Sequence, residues 1–133
     1  MFSIKYDVLT FFSQEMVSFS ANSRFEIELM VTNTQLVDLL HQLETQLKEH
    51  KLWQHTRPSE QALQSVEPFA IDTLHPHEWL QWIFIDRMHV LVENNQPLPR
   101  GFSLEPYFSE AWKQEPQFAE LLVTIRTIDE LCK

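Results

Sequence analysis

The sequence predicts an all-α fold: a small four-helix bundle built around a central apolar helix spanning about residues 76–93. Three observations carry this reading. Apolar residues recur at helical spacing early and late in the chain. Prolines at 58, 68, 76, 97, 99, 106 and 116 fall between or at the start of those stretches. Gly101 is the single glycine among 133 residues, against an average usage of about 7%. So little glycine argues against hairpin-rich all-β folds and against the glycine loops of P-loop and Rossmann nucleotide sites.

Residues 1–29 stand apart as an N-terminal extension, with the helical domain expected over residues 30–133. Val17 and Phe19 before Asn22-Ser23, and Phe25, Ile27 and Leu29 after, alternate as the arms of a loose hairpin would. The other reading of this segment is that it precedes a true start at Met30 or Val31. From Thr32 the pattern changes. Leu36, Leu39, Leu40, Leu43 and Leu47 line one helix face, with Asn33 or Thr34 as cap, and the helix is expected to run to about Lys51. Trp53 is expected to pack back just beyond it.

Residues 54–69 are a polar connector in which "SEQALQSV" predicts a short helical turn. His75 precedes a proline and is biased away from helical angles. Pro76 suits a first helical position, and Glu78 can reach back to the amide of the capping residue. From there to Glu93, Trp79, Leu80, Trp82, Ile83, Phe84, Ile85, Met88, Val90, Leu91 and Val92 cover nearly the whole circumference of an α-helix. A helix apolar all round is enclosed by its neighbours. "NNQPLPRG" ends it; Pro106 opens a short helix, and Pro116 opens the last one. That last helix carries Phe118, Leu121, Leu122, Ile125, Ile128 and Leu131 on one side.

A net charge of −9, with ten scattered lysines and arginines, disfavours direct nucleic-acid binding, which relies on basic side chains against phosphate. A basic protein partner suits the charge better. The lone Cys132 excludes an internal disulfide and a multi-cysteine zinc site, and the cytoplasm is the expected location. No apolar run approaches the roughly 20 residues of a membrane span.

Candidate chemistry is sparse. His75 and His77 are two apart, which on a helix keeps them from facing each other. His77 and His89 lie about 120° out of phase, and His75 and His89 are separated by about 21 Å along an α-helix. No metal site and no cofactor are expected. There is no G-x-S-x-G elbow, no cysteine with an evident base and no pair of carboxylates in an evident cleft, so no catalytic residue is assigned. Asp86 and Arg87 stand in the most apolar helix, where burying either charge unpaired is costly. They read as a structural ion pair, with Asp72, Glu67 or Glu93 as partner for Arg87, or as a polar notch for a partner or small molecule. Trp53, Trp79, Trp82, Tyr107, Phe108 and Trp112 are expected to converge, with one or two at a rim fit for binding.

The stretch "PFAIDTLHPHEWLQWIFIDRMHVLVENNQPLPRGF" resembles the YqcC family of small bacterial proteins. Pro68-Phe69, Asp72-Thr73, Pro76, Glu78-Trp79-Leu80-Gln81-Trp82, Ile85, Arg87-Met88-His89, Asn95 and Gln96-Pro97-Leu98-Pro99 carry the resemblance, with Glu49-His50 and Trp53 upstream. It covers about residues 32–131, and family members begin near Thr32. The resemblance implies a four-helix fold without assigned catalytic residues. The family's genes often sit beside tRNA pseudouridine synthase C, which makes that enzyme the expected protein partner. Asp72, Trp79, Trp82, Asp86, Arg87, His89, Gln96 and Leu98 are the expected partner-binding or structural polar set. A small-molecule site at Asp86/Arg87 is the alternative.

Overall fold

The first helix is longer than its leucine stripe requires. In the computed structural model, which describes residues 23–133 and side chains from Ile27 onward, α1 spans Ser23–Glu49. Leu36, Leu40, Leu43 and Leu47 are fully buried, and Leu39 packs partly against the core. The expected cap at Asn33 or Thr34 is corrected: both lie inside the helix. The Thr34 hydroxyl donates to the Met30 carbonyl at 2.9 Å, so the side chain is satisfied without ending the helix. Phe25 to Leu29, expected as a hairpin arm, are helical too. A hairpin without a sheet is marginal, whereas extending an existing helix adds one hydrogen bond per residue fixed. The other arm lies outside the described residues.

Helix α1 closes on a Schellman turn. Lys51 takes the left-handed conformation at φ 61°, its amide donates to the Lys48 carbonyl, and the Leu52 amide donates to that of Leu47. One helical turn, α2 (Glu60–Leu63), follows, with the Ser59 hydroxyl accepting from the Ala62 amide at 3.1 Å. The 3-10 turn Pro68–Ala70 places Phe69 and Ala70 at φ 57° and 48°.

Helix α3 is continuous over residues 76–93 but not uniform. Pro76–Trp79 and Asp86–Glu93 are α-helical, and Leu80–Ile85 between them is π-helical. This corrects the expectation of an enclosed helix. In an α-helix, residues five apart sit roughly 140° round from each other. The i→i+5 bonding of a π turn brings them onto one side. Trp79 with Phe84, and Leu80 with Ile85, therefore share a buried face with Met88. Asp86, Arg87 and Val90 are exposed. The apparent all-round apolarity came from applying α-helical phase to a stretch that is not α-helical. Asn95, at φ 54°, ends α3 in a second Schellman turn: its amide donates to Val92, and the Gln96 amide to Leu91.

Helices α4 (Glu105–Ala111) and α5 (Ala119–Leu131) complete the bundle, the latter entered through the 3-10 turn Pro116–Phe118. Helix α5 runs antiparallel to α1: the Thr124 hydroxyl donates to Gln46 at 2.9 Å in the buried interface, and Phe118 meets the His50 ring edge-on. Asp129 of α5 caps α4, its carboxylate accepting from the Leu104 and Glu105 amides at 2.8 Å. Gly101, at φ 83°, donates to the Cys132 carbonyl and ties the α3–α4 connection to the end of α5.

Candidate functional site

The densest polar cluster joins the π turn of α3 to the segment after α1. The buried Gln81 carboxamide bonds both backbone groups of Gln54, accepting from its N–H and donating to its C=O, each at 2.8 Å. The Gln54 side chain donates to Glu78 and accepts from the Trp82 indole N–H, also at 2.8 Å each. Glu78 in turn accepts from the His75 amide at 2.7 Å, the cap expected at the start of α3. Burial works to raise the Glu78 pKa. The His75 amide, the Gln54 side chain and the two neighbouring imidazoles outweigh it, and the carboxyl titrates below its ordinary range. Burial lowers the pKa of His77.

His75 and His77 do face each other, their rings stacked 5.7 Å apart. His75 stands outside the helix in extended conformation, so the helical phase argument does not govern it. His89 and His41, paired from two helices, have ring centroids 6.0 Å apart. Among the described residues, no group of three or more His, Cys, Asp or Glu side chains is placed to hold a metal ion. Burial pushes the Cys132 thiol up to about 11, leaving little thiolate near neutrality.

The aromatic residues converge on Phe69, which the sequence did not single out for the cluster. Its ring stacks on Tyr107 at 4.1 Å and meets Trp79 at 4.7 Å. The chain of contacts continues through Phe84 to Phe102, and through Phe108 and Trp112 to Phe118. Trp53 and Trp82 are only half-buried, at the rim.

The eight expected site residues are spread over core, rim and surface. Trp79 belongs to the core, and Trp82 to the Gln54 cluster. Asp72 is exposed and accepts from the Ser65 hydroxyl at 2.5 Å. Asp86 and Arg87 lie on the outer face of α3, so the burial cost that made them conspicuous does not arise. His89 is half-buried against His41; Gln96 and Leu98 belong to the turn that ends α3. Gln54 and Gln81 were missed. Nothing near either residue marks the pairing, which spans 27 positions.

A groove of about 510 Å3 opens between α1 and α5, lined by Gln35, Asp38, Leu39, Thr127, Glu130 and Leu131. It lies apart from the Asp86/Arg87 face.

A family model described as tRNA pseudouridine synthase C (DUF446) matches residues 35–131. The uncharacterized protein YqcC of Escherichia coli K12 is 40% identical over 103 residues, covering 77% of this chain and 94% of that protein. The chain belongs to the YqcC-like family. An uncharacterized protein from Haemophilus influenzae is 40% identical over 92 residues, 69% of this chain and 87% of its own length. The solution NMR structure of Escherichia coli YqcC superposes with a TM-score of 0.68 at 40% identity, covering 75% of this chain and 86% of that one. The helical bundle is thus the YqcC fold. A protein named tRNA pseudouridine synthase C, from Pectobacterium carotovorum, is 39% identical over 84 residues. That match takes in 63% of this chain but 22% of that protein.

Proposed function

We propose that the chain is a non-catalytic accessory module that binds tRNA pseudouridine synthase C in the cytoplasm and tunes its handling of tRNA. One observation carries the reading: a chain bearing the synthase's name includes a stretch like this one as 22% of its length. Two activities that cooperate are often joined in one polypeptide, and linkage replaces a binding equilibrium with a high effective concentration. The family description points the same way. The acidic surface, at a net charge of −9, suits a basic tRNA-binding enzyme better than RNA itself. The groups described above offer packing and capping rather than a nucleophile with its base.

The test is retention of the synthase on the immobilised chain from cell extract, paired with profiling of tRNA pseudouridine in cells lacking this gene. Retention at moderate salt together with reduced modification at the synthase's sites is expected. No retention and unchanged modification would overturn the reading. The alternative of a small molecule at Asp86/Arg87 loses its physical motive, because both charges already face water.

A further inference from the structure

The groove between α1 and α5 combines an apolar floor with acidic walls. Its floor is apolar, from the partly buried Leu39 and Leu131. Each wall carries a carboxylate, Asp38 on α1 and Glu130 on α5. On α1, Val31, Gln35 and Asp38 follow at i, i+4 and i+7; on α5, Val123, Thr127 and Glu130 do the same. Val31 and Val123 are therefore on the faces that flank the groove, and they are 52% and 55% exposed. The two helices are antiparallel, with Thr124 level with Gln46, so Val123 stands beside the paired stretch and Val31 on the part of α1 that continues beyond α5. Leu131, where α5 ends, is level with about residue 39 of α1, so from there to Gln46 the two helices run side by side for about 10 Å, some two helical turns. Residues of α1 before Gln35 run on past the end of α5 and expose Ile27 at 61% on the same side.

We propose that this groove docks a basic amphipathic helix of the protein partner, with apolar side chains on Leu39, Leu131 and the flanking valines and cations on Asp38 and Glu130. This rests on the reading of the chain as a protein-binding module. Apolar anchors at helical spacing give such a complex its affinity, and charge complementarity selects the partner. Charge also argues against the two nearer occupants. A second copy would bring acidic walls toward acidic walls on a molecule of net charge −9. Residues 1–22 set Lys5 against Asp7 and Glu15, and offer no surplus of side-chain cations. The cation recorded at Glu130 is Lys133, at 3.9 Å with both side chains largely exposed, a contact that a partner's lysine or arginine can displace at little cost.

Two probes separate this proposal from the functional reading beneath it. The first is a synthetic helix with leucines on one face and lysines on the other, together with its glutamate twin, titrated into the isotope-labelled full chain. The lysine helix is expected to shift amides of residues 31–42 and 123–131, the glutamate twin is not, and D38K/E130K is expected to weaken binding by about tenfold or more. Shifts elsewhere, equal binding of the twins, or unchanged affinity in D38K/E130K would overturn the groove assignment. So would release of residues 1–22 on adding peptide, or a dimer in sedimentation that the charge reversal alters, since either names another occupant. The second probe is the purified synthase. Loss of its binding in D38K/E130K, but not in a V66S/I71S control on the distant loop, supports the groove. Synthase binding that ignores the groove variants overturns the groove and leaves the accessory role intact. Failure of the unaltered chain to bind the synthase overturns the accessory role, and the peptide result then decides the groove.

Discussion

Lys51, Phe69, Ala70 and Asn95 all adopt positive φ in a chain whose one glycine is elsewhere. The left-handed conformation costs a residue with a Cβ about 1–2 kcal/mol, asparagine less. Lys51 closes a Schellman turn at an exposed position, so K51G is expected to raise stability by about 1 kcal/mol in chemical denaturation. Gln81 is the converse case. Q81L keeps the bulk but leaves both backbone groups of Gln54 without their partner. The expected loss is about 2 kcal/mol, measurable as a lower denaturation midpoint at unchanged slope. The stretch around Lys51 already read as a helix end. The role of Gln81 did not show, because its partner comes from beyond the helix it sits on.

At the level of elements, α3 and α4 are held at their N-termini by carboxylates from different sources. Glu78 acts from within α3, and the notice for it was local: His75-Pro76 followed by an acid at the third helical position. Its folded pKa is depressed. Its contribution is therefore complete above about 4.5, its ordinary value, and lost as pH falls through the folded value. His77, also depressed, acts in the same direction from about 6.5 downward, because the unfolded chain takes the proton first. Unfolding followed across pH should show these two groups withdrawing stability on acidification, opposed by Asp129, whose pKa is raised, and E78Q should remove the share of that loss that falls below 4.5. Asp129 caps α4 from α5. Burial raises its pKa, Glu105 and Glu130 add to that, and the two amide bonds oppose it. D129A is expected to cost about 1–2 kcal/mol and to speed amide exchange at Leu104 and Glu105. No local pattern announces this cap, since donor and acceptor are 24 and 25 residues apart.

Over the described residues, one aromatic core is closed by contacts that hold the C-terminal segment against the rest of the bundle. Gly101 bonds to Cys132, and α5 packs along α1. The buried thiol near the C-terminus, raised to about 11, therefore reports on the entire bundle. A thiol reagent at mildly alkaline pH is expected to leave Cys132 untouched in the native protein and to label it at the rate of opening; rapid native labelling would show that the terminus is not held. Among the described residues, no helix is long and apolar enough to cross a membrane.

The sequence by itself determined the helical class, most of the segment limits, the cap at Glu78 and the family, because these depend on spacing and on neighbours within a turn or two. It also brought most of the aromatic set together, since large apolar side chains in a small chain have one place to go. Tertiary structure decided the rest. The π turn set the inner and outer faces of α3, moving Asp86 and Arg87 to the surface, and long-range pairing joined Gln54 to Gln81 and Asp129 to α4. The groove exists only where α1 and α5 lie side by side. Each of these follows from which side chains meet across the core, and periodicity along one segment carries no information about the surface it will face.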